Sequence, residues 1–156
     1  MADLSLTQTA GLLQRWRTLC AGLERAVPLD WLQLAMRIAV GSVFFRSGLL
    51  KIESFDFAVL LFRDEYKVPL LDPVVAAYLG TGLELAMPVL LYVGLLTRVA
   101  TVPLLGMALV IQIFIYPQAW NEHLMWAVPL TFLLTRGPGR FSLDHWLRID
   151  RGSRPA

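Results

Sequence analysis

Hydrophobic residues run along this chain in four long blocks, with charged residues gathered between them. The blocks cover about residues 31–50, 74–96, 99–116 and 120–135, each near the roughly 20 residues an α-helix needs to cross a bilayer. The pattern predicts an all-α fold, an integral membrane four-helix bundle. Before the first block, Leu12, Trp16, Leu19, Leu23 and Val27 recur at spacings of three or four. Gln14, Arg15, Arg17, Glu24 and Arg25 fill the rest of that surface. Residues 8–27 therefore predict an amphipathic helix, too polar to span and suited to lying on lipid headgroups or, alternatively, to packing on a partner subunit. Pro28 and Asp30 break it and start the next helix. After the last block, Gly137-Pro138-Gly139 stops the helix, and Ser142 as N-cap with Asp144 in the first turn predicts a short C-terminal helix. Three parts follow: an amphipathic segment at 1–30, a membrane domain at 31–136 and a basic tail at 137–156 with Arg148, Arg151 and Arg154.

Within the blocks the small and polar residues fall on particular faces. Arg37, Gly41, Phe44 and Gly48 share one face of the first span, and its glycines allow a neighbouring helix to approach closely. Gly80, Glu84, Met87, Leu91 and Gly94 share a face of the second. Pro88 cannot donate to the carbonyl of Glu84, four residues earlier, so that position offers both a carboxyl and an unpaired backbone oxygen. The connection 51–73 is charged, yet Phe55, Val59, Phe62 and Tyr66 line one face of it. A short interfacial or re-entrant helix is expected there, ending before Pro69 and Pro73. The brief turn at Thr97-Arg98 makes the second and third spans an antiparallel hairpin.

Composition agrees with the membrane class. The chain is 56% hydrophobic and 17% charged, with mean hydropathy +0.58, where soluble domains run near about a quarter charged. The net charge of +2 does not point to nucleic acid, because the basic residues flank apolar blocks rather than forming a stripe on a soluble face. Arg15, Arg17 and Arg25, then Arg98, then Arg136 and Arg140 mark one side, which places both termini in the cytoplasm. No cleavable signal peptide is expected, so the first span serves as the membrane signal. Cys20 is the only cysteine, which excludes an internal disulfide or a C-x-x-C redox centre and leaves Cys20 as a small apolar residue.

The most informative residue is Glu84, near the middle of an apolar run. A carboxylate at that depth costs a few kcal/mol or more unless it is paired or protonated, so it marks a candidate functional site. At 1.5 Å per residue it lies roughly 18 Å from the inner end of its helix, with Arg37 about 9 Å and Arg46 about 22 Å along theirs. Arg37 shares its face with the packing glycines and is the expected ion-pair partner. Arg46, Lys51, Tyr78, Gln112, Trp120, Glu122, His123 and Trp126 are expected to gather in the outer half of the bundle as a ligand cavity. Such a cavity suits a quinone headgroup or another small polar ligand. The plainer reading makes Glu84–Arg37 a structural pair and leaves the outer residues solvated. His123 and His145 fall on opposite sides, so neither an intrinsic metal site nor bis-histidine haem is expected. Ser142, Asp144 and His145 are too close in sequence for a catalytic triad, and capping explains them.

Three motifs carry a resemblance. Arg37-Ile38-Ala39-Val40-Gly41, followed by Gly48-Leu49-Leu50-Lys51-Ile52, resembles the first-span motif of the DoxX family. Glu84 through Gly94-Leu95-Leu96-Thr97-Arg98 resembles that family's glutamate-containing second span, and Gly137-Pro138-Gly139-Arg140-Phe141-Ser142-Leu143-Asp144 is similar to its terminator. Together they cover about residues 31–146. The resemblance implies a bacterial inner-membrane protein with four spans and no cofactor bound intrinsically. Its members are linked to thiosulfate:quinone oxidoreductase and other redox complexes, to oxidative-stress defence and to operons for metal-binding peptides.

The expected function is accordingly a membrane subunit or anchor of a redox complex, with a quinone or small-ligand site. Its partners would be the lipid bilayer and a soluble oxidoreductase or another membrane subunit, with self-association through the glycine faces. Two alternatives stand beside it: a non-enzymatic membrane partner of a metal- or oxidative-stress system, and a small transporter bending at Pro88, Pro103 and Pro129.

Overall fold

In a computed structural model, residues 2–67 and 71–150 are described, with side chains from residue 13 onward except that of Glu24. The expectations for the side chains of Leu12 and Glu24, for Pro69, and for Arg151 and Arg154 lie outside those residues. Among the described residues all regular structure is helical. The helices are α1 (Ala2–Ala26), α2 (Leu29–Glu53), α3 (Phe55–Leu60), α4 (Pro73–Val93), α5 (Thr97–Val110), α6 (Trp120–Arg136) and α7 (Leu143–Trp146). Two of them run on into π-helical turns, α3 through Leu61–Tyr66 and α5 through Ile111–Ile115.

Four long helices, α2, α4, α5 and α6, form the bundle, and α2 packs most extensively against α4. Their glycines explain why. A Cβ at Gly41 would fall 2.8 Å from the Tyr92 ring, and one at Gly48 would fall 2.9 Å from the Leu85 side chain. As α2 advances from 41 to 48, its neighbour on α4 recedes from 92 to 85, so the pair is antiparallel. Val40, Phe44, Leu91, Ala100, Leu104, Ala108, Leu130 and Leu133 make the main apolar core. A smaller cluster of Phe62, Ala76 and Ala77 seats the α3 segment against α4, and a Cβ at Gly80 would meet the Phe62 ring at 2.8 Å. The predicted helix in the 51–73 connection is thus folded back on the bundle.

The distribution of polarity is inverted relative to a water-soluble bundle. Gln33, Arg37, Lys51, Glu84, Thr101 and His123 are buried, while Val99, Val102, Leu109, Met125 and Val128 are exposed. An apolar exterior, with ionisable residues held among the apolar core, suits a lipid surround in which such residues face the bundle. Among the described residues, two helical stretches are long and apolar enough to cross a bilayer, Pro73–Val93 and Thr97–Ile115. α2 carries its charges in their midst and α6 has 17 residues.

The hairpin turn lies three residues earlier than expected. Gly94, at φ +70°, ends α4. Its N–H donates to Leu91 and that of Leu95 to Leu90, a Schellman arrangement that satisfies the last carbonyls. Thr97 and Arg98, expected in the turn, instead open α5. The C-terminal expectation holds: the Ser142 hydroxyl accepts from the His145 N–H and caps α7. Asp144 does more than complement that helix. Its two carboxylate oxygens accept from the backbone N–H groups of Leu96 and Thr97, at 2.7 and 2.8 Å, and so cap the start of α5.

Candidate functional site

Close approach at Gly48 brings the backbones of α2 and α4 together, and the side chains beside it carry charge. A Cβ at Gly48 would sit 3.1 Å from the Cβ of Glu84. One turn further along α2, the Lys51 ammonium donates to both carboxylate oxygens of Glu84, at 2.7 and 2.8 Å. It also donates to the Ser47 hydroxyl at 2.8 Å, and Ser47 donates on to Glu84 at 3.3 Å. Both charged side chains are over nine-tenths buried. The buried partner of Glu84 is therefore Lys51 and not Arg37.

The reason is geometric. Helical side chains lean toward the N-terminus of their own helix. On antiparallel α2 and α4, Lys51 leans back toward Ser47 while Glu84 leans the opposite way, so the two converge. Arg37 leans away from Glu84 and reaches the far end of α4. There its guanidinium, 1% exposed, donates to four backbone carbonyls: Leu91 (2.8 Å), Tyr92 (3.0 Å), Pro138 (3.0 Å) and Phe141 (2.7 Å). The first two belong to the last turn of α4, where the negative end of the helix dipole attracts a cation, and Leu91 accepts from Arg37 as well as from the Gly94 N–H. Gln33 donates to Gly137, and Arg98 donates to Leu134 and Thr135 and pairs with Asp150. Arg37 thus belongs to a polar clamp that fastens residues 137–150 across one end of the bundle.

The Lys51–Glu84 pair opens onto a cavity of about 490 Å³ between α2, α4, α5, α6 and the α3 segment. Its walls are mainly apolar, with Leu79, Leu83, Met107, Val110 and Ile111 among them. Its polar groups come from separate elements. Ser47, Lys51 and Glu84 stand on the α2–α4 side, Tyr66 on the π turn after α3, and Glu122, His123 and Trp126 on α6. Tyr66 lies in the 51–73 connection, and burial, reinforced by Glu65 and Glu84, raises its phenol above the ordinary range. Both π turns line this cavity and touch one another, and Tyr116 just beyond the second donates to Glu65 within the first. Such local widening of a helix recurs at functional sites.

His123 is fixed from behind. Gln112 donates through its amide nitrogen to the Pro117 carbonyl at 2.9 Å, which leaves its oxygen facing His123 Nδ1 at 2.6 Å. In the neutral ring that contact assigns the proton to Nδ1 and leaves Nε2 as an acceptor. Gln112 and Trp120 line a second groove of about 470 Å³ between α5 and α6, where His123 is again part of the wall.

Of the residues expected to gather, Lys51, Glu122, His123 and Trp126 share the main cavity with Glu84, and Gln112 and Trp120 stand behind His123. Two do not join them. Arg46 is exposed, because it lies on the side of α2 away from α4. Tyr78 is 64% exposed and stacks on Phe55, with ring centroids 4.5 Å apart, outside the cavity wall. Sequence reasoning passed over Ser47, although it precedes Lys51 by one turn, and placed Tyr66 on a packing face without giving it a role. Among the described residues no three of His, Cys, Asp and Glu come together as metal ligands.

Comparison with known proteins adds one finding. The family model described as DoxX matches residues 32–117, more than half of the chain. No curated protein and no solved structure matches it.

Proposed function

The chain belongs to the DoxX family of membrane proteins, and on that footing we propose that it is a membrane subunit of a redox complex whose cavity receives the ring of a quinone. In this reading α2, α4, α5 and α6 all cross the bacterial inner membrane, with both termini in the cytoplasm, and a soluble oxidoreductase or another membrane subunit supplies the electron partner.

One observation carries the reading. A mainly apolar cavity of about 490 Å³ holds hydrogen-bonding groups on separate walls, with the Ser47–Lys51–Glu84 cluster and Tyr66 on one part and His123 on α6. Ligand sites of about 300–1,000 Å³ with a few placed polar groups in an apolar lining are the usual small-molecule form. A quinone ring is flat, apolar on its faces and polar at two opposite oxygens. The Tyr66 hydroxyl suits a carbonyl oxygen, and the Lys51 charge on the same side of the cavity favours charge developing there. His123 Nε2 suits a hydroxyl of the reduced ring. Trp126 and the aliphatic walls cover the faces.

The test begins with protein purified in mild detergent, solvent-extracted and surveyed for quinones by mass spectrometry. Short-chain quinone is then titrated against tryptophan fluorescence. Bound quinone is expected, with quenching that disappears in Trp126→Phe and weakens at least roughly tenfold in Glu84→Gln, where a charge-assisted contact is lost. Extracts free of quinone, together with no saturable quenching, would refute the reading.

A further inference from the structure

Helix α1 lies outside the family-matched residues 32–117, and no extensive packing joins it to any other described helix. Its apolar stripe is nonetheless well formed. Trp16 is 66% exposed and Leu23 67%, and Leu13, Leu19 and Val27 are exposed with them. Four large apolar side chains on one face of α1, with Val27 just beyond its end, call for a cover that no described helix provides.

The charges around the stripe indicate what covers it. Arg15 and Arg17 fall about 100° to either side of Trp16 around the helix, so one guanidinium borders each edge of the stripe. Arg25 lies opposite, and all three arginines are exposed. Cations along both margins of an apolar stripe match a layer with anionic headgroups above and acyl chains below. Position argues the same way. Only Val27 and Pro28 separate α1 from α2, and Leu29, Trp31 and Leu32 beyond them are also exposed. The stripe is therefore followed directly along the chain by exposed apolar residues at the start of α2.

We infer that α1 lies in the anionic headgroup layer of the membrane, with Trp16, Leu19, Leu23 and Val27 toward the acyl chains, Arg15 and Arg17 on lipid phosphates and Arg25 on the water side, adding to the attraction at longer range. The occupant of this face is lipid, not a second copy or a soluble partner. The inference stands apart from the quinone reading and survives its failure.

Cys20 gives a clean probe, since it is the chain's only cysteine, sits on the same stripe and is partly exposed. The full chain is labelled there with an environment-sensitive fluorophore and placed in nanodiscs, one copy each, of zwitterionic lipid or of a mixture with anionic phosphatidylglycerol. In anionic discs the label is expected to shift to shorter wavelength, to be quenched by lipids spin-labelled near the headgroup and to be shielded from aqueous iodide. Replacing Arg15, Arg17 and Arg25 together by Gln should reduce the anionic preference by roughly tenfold to a hundredfold. Full iodide access in both lipids would overturn the proposal. So would shielding that appears only in discs holding two copies, or a triple variant that keeps the full preference for anionic lipid.

Discussion

Lys51 and Glu84 meet across antiparallel helices, with the ammonium 2.7 and 2.8 Å from the two carboxylate oxygens and both side chains buried. Each neutralises a charge the other could not carry alone in an apolar bundle. Removing one partner should therefore cost far more than replacing both, since an unpaired buried charge costs about 3–5 kcal/mol while an apolar pair of similar volume is often tolerated. Glu84→Leu or Lys51→Met alone is expected to lower stability by about that amount, and the double variant to recover most of it. Unfolding curves of the four proteins in detergent decide the matter. Strict additivity would mean that the two residues are not a stabilising unit.

Arg37 poses a different demand. Its guanidinium satisfies four carbonyls from two distant segments, a fan of donors that an ammonium cannot reproduce. Arg37→Lys should cost at least about 3 kcal/mol, since hydrogen bonds to charged groups are worth roughly 1.5–3 kcal/mol each. It should also free the C-terminal segment, seen as faster proteolysis between residues 137 and 150. A variant as stable and as resistant as the parent would contradict the clamp.

The carboxylate of Asp144 caps α5 from across the bundle. Asp144→Ala is expected to cost about 0.5–2 kcal/mol, as for other lost helix caps. The amide protons of Leu96 and Thr97 should then exchange faster with deuterium while those in mid-α5 keep their protection. Unchanged exchange at these two positions would remove Asp144 from that role.

At Gly48 the space is already taken. A Cβ there would fall within 2.9 Å of Leu85 and 3.1 Å of Glu84. Gly48→Ala should separate α2 from α4 and cost about 1–3 kcal/mol, the range for overpacking a tight interface. Gly106, where a Cβ would meet nothing within 4 Å, is the control. If Gly48→Ala and Gly106→Ala unfold alike, the close approach is not limiting.

Gln112 acts on the cavity only through His123. Gln112→Ala should weaken quinone binding by roughly fivefold, the worth of about one neutral hydrogen bond. It should also redistribute the imidazole proton between Nδ1 and Nε2, visible in ¹⁵N spectra of the ring. Gln112→Glu keeps an oxygen acceptor and should hold the proton on Nδ1. Spectra unchanged by the alanine variant would show that the tautomer is set elsewhere.

Much of the fold was legible because helical periodicity exposes faces. The glycines at 41 and 48 marked the α2 side that meets α4, and Phe62 and Tyr66 marked the face of the connection that folds back. The ion pair was misread for an equally physical reason. Counting residues along a helix gives the depth of a Cα, but a long side chain ends several ångströms from it, in a direction fixed by helix polarity. By depth alone Lys51 looked like a residue at the end of its span. Its lean toward Ser47, opposite to that of Glu84, closed the gap, and the same rule carried Arg37 away. The carbonyl clamp left no trace in side-chain pattern, because its acceptors are backbone oxygens. Likewise, the hairpin turn was placed at Thr97-Arg98 because its polar residues drew attention, while Gly94 carried the positive φ that ends α4.

The carbonyls of Pro138 and Phe141 lie 101 and 104 residues beyond Arg37 in the chain. During synthesis the first long helix leaves the ribosome with that guanidinium bare, and two of its four acceptors do not yet exist. Leu91 and Tyr92 can meet it only once the second bundle helix has emerged, and the last two only when synthesis has passed residue 141. The Arg37 side chain must therefore wait, solvated by water or headgroups or held by an insertion factor, until residues 138–141 arrive to enclose it.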